Sequence, residues 1–175
     1  MRKYLVAAVL SALILVPSAA RAGFVLDASL GKGYQVTSPR GTEQLNLEIA
    51  PGWGPSLPIL SMFRLQLGIV LDFADKSGSS TNYALRPMLS IIPPILPLYG
   101  RLIVAVNNLR EVGGSKREIA YGGAAGVRIG TPSIGLIPSL GIFGELGALP
   151  RSRTYVDGDK FTWVLEARAG AYLEF

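Results

Sequence analysis

Charged side chains recur at alternate positions along otherwise apolar, glycine-bearing segments. The cations are Arg64, Arg86, Arg101, Arg128 and Arg168, and the anions singled out with them are Asp72, Glu145 and Glu166. A carboxylate pair such as Glu145 and Glu166 could perform general acid–base chemistry. Arginines at this density favour the other use of such groups, a structural ion network. The chain contains no histidine and no cysteine. The commonest general base and metal ligand is therefore missing, as are thiolate sites and disulfides. No catalytic, cofactor-binding or metal-binding residue is expected. Gly31-Lys32-Gly33 and Tyr121-Gly122-Gly123 look like fragments of phosphate loops. Neither stands between a strand and a helix, and their glycines read as inward space on strands.

The elements that must carry these charges are clearest at the end of the chain. From Phe161 to Phe175, every second residue is apolar: Phe161, Trp163, Leu165, Ala167, Ala169, Ala171, Leu173 and Phe175. The intervening set holds Glu166, Arg168 and Glu174. Period two is a strand with one apolar and one charged face. Seven earlier segments repeat the pattern: 24–36, 42–50, 59–73, 81–92, 98–107, 118–130 and 136–149. Turns are expected at 37–41, 51–58, 74–80, 93–97 and 131–133, with charged loops at 109–117 and 150–160. Pro87 and Pro138 are expected to bend or bulge their strands. The polar faces then collect Asp27, Glu48, Asp72, Glu118, Glu145, Glu166 and Glu174 with the five arginines. Arg64, Arg86, Glu145, Glu166 and Arg168 are expected near mid-height.

Eight consecutive strands joined by short links predict an all-β, antiparallel, up-and-down barrel, the smallest count that closes without a free edge. Residues 1–22 are expected to precede it as a cleavable signal peptide. Met1-Arg2-Lys3 is a basic start, an apolar run follows, and Ala20-Arg21-Ala22 places cleavage before Gly23. That run is too short to span a bilayer as a helix. Residues 23–175 form the barrel domain. The formal charge of +5 falls to +2 without Arg2, Lys3 and Arg21, which gives no reason to invoke nucleic acid.

A soluble barrel would turn its apolar face inward. Three features favour the opposite orientation, with lipid outside. The apolar sets are almost free of charge, Lys32 excepted. The polar sets are rich in glycine and alanine, which leaves room for long side chains in a narrow lumen. Aromatic residues gather at strand ends: Tyr34, Phe73, Tyr83, Tyr121, Phe161 and Trp163 toward one interface, Phe24 and Phe175 toward the other.

The last eight residues resemble the C-terminal signal of bacterial outer-membrane proteins, here through Arg168, Gly170, Leu173 and Phe175. With the signal peptide and eight strands, the chain is similar to the small OmpA/OmpX-type barrels, with the OmpW type as a cousin. The resemblance implies a bacterial outer-membrane location and recognition of the C-terminal segment by the barrel-insertion machinery. It implies surrounding lipid and lipopolysaccharide as partners, and a monomer. Enzymes among outer-membrane barrels rely on a catalytic histidine, so no enzymatic role is expected here. The expected role is structural or surface-interacting, with a lumen filled by Arg–Glu/Asp pairs. The alternative is a narrow channel for small or apolar solutes. Arg110, Lys116, Arg117, Arg151 and Arg153 make two outer loops basic, which suits contact with lipopolysaccharide phosphates.

Overall fold

The computed structural model describes residues 23–37, 40–55, 60–73, 83–93, 96–111, 114–131, 137–155 and 158–175, with side chains outside 107–118 and 151–162. Strands β1 (Phe24–Gln35), β2 (Gly41–Trp53), β3 (Phe63–Asp72), β4 (Tyr83–Ile91), β5 (Leu98–Glu111), β6 (Gly114–Gly130), β7 (Ser139–Tyr155) and β8 (Gly158–Glu174) pair consecutively, and β8 pairs with β1. All pairings are antiparallel and the sheet is closed. This is the eight-stranded up-and-down barrel that the alternation predicts. The expected signal peptide lies outside the described residues.

The register fixes the barrel's shape. The paired positions starting at Ala28 run through Ile49, Ile69, Leu85, Val106, Ile119 and Ser152 to Phe161. Across the closing seam, Ala28 pairs with Ala171. The offset between Phe161 and Ala171 is a shear of ten residues. For eight strands that shear corresponds to a tilt of about 40° and a backbone radius of about 8 Å. A barrel this narrow lets side chains from opposite walls meet at the axis.

Face orientation follows the parity of the sequence. Leu65, Leu67 and Leu165 are 62%, 46% and 50% exposed and face outward. Their neighbours Gln66, Glu166 and Arg168 are buried inside. Lys32 also faces outward, one outward step from Tyr34.

Several local expectations give way to the sheet. β2 continues through Pro51 and Gly52 to Trp53, where the sequence predicts a break. Proline lacks the ladder donor, and the β2–β3 bridges accordingly skip from Ile49 to Gly52 without losing register. Pro87 acts alike: the β4–β5 bridges skip from Leu85 to Met88 with no register shift, so it makes no bulge. The irregularity in β1–β2 lies between Lys32 and Tyr34. Lys32 opposes Leu45 while Tyr34 opposes Thr42, so Glu43 and Gln44 together face Gly33. A Cβ on Gly33 would lie 2.4 Å from the Glu43 carboxylate, so glycine leaves the room that this side chain now occupies. Pro138 stands just before β7 rather than inside it, and residues 60–62 form a 3₁₀ turn ahead of β3 rather than strand.

The largest difference is at the ends of the second half of the barrel. The segments predicted as charged loops are mostly strand: β5 and β6 pair up to Glu111 and Gly114, and β7 and β8 up to Tyr155 and Gly158. Charge marks solvent, and a two-stranded ribbon in solvent carries charge as readily as a loop does.

Candidate functional site

The lumen is built in layers, each set by strand register. At the end that carries Gly23 and Phe175, Glu174 sits between two arginines. Arg128 Nη2 donates to Glu174 Oε2 at 2.8 Å, and Arg64 donates to Glu174 Oε1 through Nε at 2.9 Å and through Nη2. The Arg128 guanidinium lies 3.4 Å from the centre of the Tyr172 ring, a cation–π contact. Arg64 also donates to the carbonyls of Ser61 and Phe63. Arg64 thus belongs to this terminal layer, not to mid-height beside Arg86. The reason is that β3 starts only at Phe63, so Arg64 is its second residue. Just inside this layer, Tyr99, Phe143 and Tyr172 form a buried aromatic cluster.

The central layer is a continuous network of seven charged side chains, each between 1% and 7% exposed: Asp27, Glu48, Arg86, Arg101, Glu145, Glu166 and Arg168. Arg86 on β4 reaches Glu166 on β8 with two parallel hydrogen bonds, Nη1 to Oε1 at 2.7 Å and Nη2 to Oε2 at 2.9 Å. Arg168 donates from Nε to Glu166 Oε1 at 3.0 Å, to Asn46 Oδ1 at 2.7 Å and to Ser29 Oγ at 3.2 Å. Gly31 lets that guanidinium lie flat against β1, since a Cβ there would be 2.7 Å from Arg168 Cζ. Arg101 on β5 crosses to Asp27 on β1 at 2.8 Å and donates to Glu145 Oε1 at 3.3 Å and to Ser90 Oγ at 3.1 Å. Gln66 donates to Asp27 Oδ2 at 2.8 Å, and Tyr99 OH donates to Glu145 Oε2 at 2.5 Å. Glu48 touches all three arginines, at 3.4 Å from Arg86, 3.8 Å from Arg168 and 3.9 Å from Arg101.

Beside these charges rises an apolar wall of Ala50, Met88, Ile103 and Leu149, with Ala124 packed against it. Farther toward the hairpin end, Val70, Ala84, Ala105, Ala120 and Val164 face inward and are buried. Asp72 is half-buried beside Asn46 in this outer region rather than in the central layer.

Of the residues singled out from the sequence, the structure brings Arg86, Arg101, Arg168, Glu145 and Glu166 together. It puts Arg64 and Arg128 with Glu174. Asp27 and Glu48 are central although nothing in the sequence ranks them above the other acids; their inward parity was the available signal. Ser29, Asn46, Gln66, Ser90 and Tyr99, which complete the hydrogen bonds, carry no charge to draw attention to them. Tyr34, Phe73, Tyr83, Tyr121 and Trp163 are exposed on the outer face. Phe24 and Phe175 pack together at the terminal end with ring centres 6.3 Å apart, and Trp53 is exposed beside Phe24 on β2. The Phe161 side chain lies outside those described. In the C-terminal segment, Arg168 points into the lumen, and the Phe175 amide donates to the Phe24 carbonyl at 2.9 Å.

No protein-family model matches the chain, and no curated protein matches it. The crystal structure of Neisserial surface protein A (NspA) does match, with a TM-score of 0.55 over 87% of this chain and 97% of that one, at 16% identity. The two share one fold. At that identity the likeness is one of architecture, and the lumen charges must be understood from this chain's own geometry.

Proposed function

We propose that this chain is a non-enzymatic bacterial outer-membrane barrel with an envelope-structural or surface-interaction role, its lumen filled by the Arg–Glu/Asp network. The observation that carries this reading is the central layer. Its bonds join β4 to β8 and β5 to β1, across the barrel, and its members are almost wholly buried. Charges so desolvated are held by mutual pairing, and displacing any one strands its partners. Such a layer suits a filled interior better than a flow path. The outward belt of leucine, isoleucine and valine supports lipid around the barrel. The shared fold with a bacterial surface protein supports the same location.

Within this reading, residues 1–22 are removed before Gly23, and Arg168, Gly170, Leu173 and Phe175 present the segment read by the insertion machinery. Contact of the basic segments that hold Arg110, Lys116, Arg117, Arg151 and Arg153 with lipopolysaccharide phosphates belongs to the same reading. The barrel acts as a monomer and needs no cofactor.

The test is electrical. Purified protein in planar bilayers should give no stable unitary conductance, and cell fractionation should place the mature chain in the outer membrane. A narrow channel for small or apolar solutes is the second reading, favoured by the small apolar lining of Val70, Ala84, Ala105 and Ala120. Reproducible conductance steps, or saturable uptake of an apolar solute into vesicles, would establish that reading in place of the first.

A further inference from the structure

Among the described side chains, the central layer does not balance its charges. It contains four carboxylates, Asp27, Glu48, Glu145 and Glu166, and three guanidinia, Arg86, Arg101 and Arg168. Arginine keeps its proton under all ordinary conditions. With every carboxylate ionised, the layer would hold one uncompensated negative charge among side chains at most 7% exposed. A buried net charge is costly, and taking up a proton is the common way to remove it.

The contacts show which carboxylates compete for too little positive charge. Glu166 is well supplied, with two bonds from Arg86 and further bonds from Arg168. The other three share Arg101: Asp27 at 2.8 Å, Glu145 at 3.3 Å and Glu48 at 3.9 Å. Glu48 also lies 3.4 Å from Arg86 and 3.8 Å from Arg168, and Glu145 lies 3.8 Å from Arg168, but both of those arginines are already engaged by Glu166. Glu145 is completed by Tyr99, a neutral donor that leaves the charge count unchanged. Asp27 adds the independent sign: its Oδ1 is buried and meets no donor among the described residues, while Oδ2 takes both Gln66 and Arg101.

Each of the eight strands borders this set. β1 brings Asp27, β2 Glu48, β4 Arg86, β5 Tyr99 and Arg101, β7 Glu145, and β8 Glu166 and Arg168. β3 brings the neutral Gln66, and its Asp72 toward the hairpin end is a further acid. Among the described side chains, β6 faces this layer with Gly122, Ala124 and Gly126 and adds no charge.

We propose that the Asp27–Glu48–Glu145 set around Arg101 binds one proton at neutral pH, making the middle of the lumen a buried proton site. The proton comes from water, forms one O–H bond on a carboxylate oxygen and is shared by the set rather than owned by one residue. The site goes beyond the structural reading of the network, because a lumen filled by fully ionised pairs would have no use for it.

The experiment is infrared spectroscopy of the full mature chain folded in dodecyl maltoside micelles, which carry no ester carbonyl, at pH 7, with exchange into heavy water. A protonated-carboxyl C=O band that shifts on deuteration is expected in the wild type. It should disappear in Asp27→Asn, Glu48→Gln and Glu145→Gln, each of which leaves three carboxylates for three arginines. It should persist in Glu174→Gln, whose cluster is separate, and should grow in Arg101→Gln, which removes a cation. Absence of the band from the wild type overturns the proposal, and that measurement stands even if no variant folds. A band unmoved by all three isosteric substitutions overturns it too, since the proton would then lie elsewhere.

Discussion

Arg86 and Glu166 face each other from opposite walls of the barrel and meet in a two-bond fork at 2.7 and 2.9 Å. The planar guanidinium and the carboxylate match in geometry, which makes this the strongest kind of side-chain pair. Both are buried, so the pair's value lies less in net attraction than in the cost of breaking it. Glu166→Gln should therefore lower the unfolding free energy by about 3 kcal/mol, the low end of the usual cost of breaking a buried pair, because Glu48 still reaches Arg86 at 3.4 Å. Urea unfolding in lipid vesicles, followed by tryptophan fluorescence, measures it. The double variant Arg86→Met/Glu166→Leu should recover much of the loss. Equal losses in the single and double variants would show that the pair is not the source.

The second ion cluster should behave differently. Arg64, Arg128 and Glu174 lie at the barrel mouth, with the Glu174 side chain 20% exposed. Water and salt reach it, so its pairs are partly screened. Glu174→Gln should cost clearly less than Glu166→Gln, and the difference between wild type and Glu174→Gln should shrink as salt is raised. The same urea titration at two ionic strengths decides this.

Glycine substitutions separate the lumen from the rim. Gly31→Val would drive a side chain into the Arg168 guanidinium, whereas a Cβ on Gly41 meets nothing within 4 Å. Overpacking of this kind costs about 1–3 kcal/mol. Gly31→Val should lose that much, and Gly41→Ala should stay within about 0.5 kcal/mol of wild type. Thermal gel-shift midpoints would rank them, and equal midpoints would contradict the tight fit described at Gly31.

The outward belt gives the sharpest test of the solvent around the barrel. Leu102 is 60% exposed on the outer face near mid-height. Leu102→Arg should cost about 2–4 kcal/mol in a bilayer, as charge on the lipid face of a barrel does at the midplane. An unchanged stability in vesicles would mean that this face does not meet hydrocarbon.

Much of this architecture was legible in one dimension. The alternation of Phe161 to Phe175 identified a strand and the faces of its residues, and the same parity placed Glu145, Glu166 and Arg168 on one side of the sheet. That information is local, because side-chain direction in a strand is a matter of odd and even. Parity also placed Asp27 and Glu48 inward, but gave no reason to rank them above Asp72 or Arg64. Charged stretches such as Leu109 to Arg117 read as loops, because composition reports contact with water and not backbone pairing.

The sequence alone determined the number of strands, their apolar and polar faces, and the absence of histidine and cysteine chemistry. The tertiary structure alone decided the ten-residue shear, the bulge opposite Gly33 and the identity of the partners across the lumen. Shear is a property of the closed sheet, accumulated over eight registers, and no single segment encodes it. It sets which height on β4 faces which height on β8, and so that Arg86 meets Glu166.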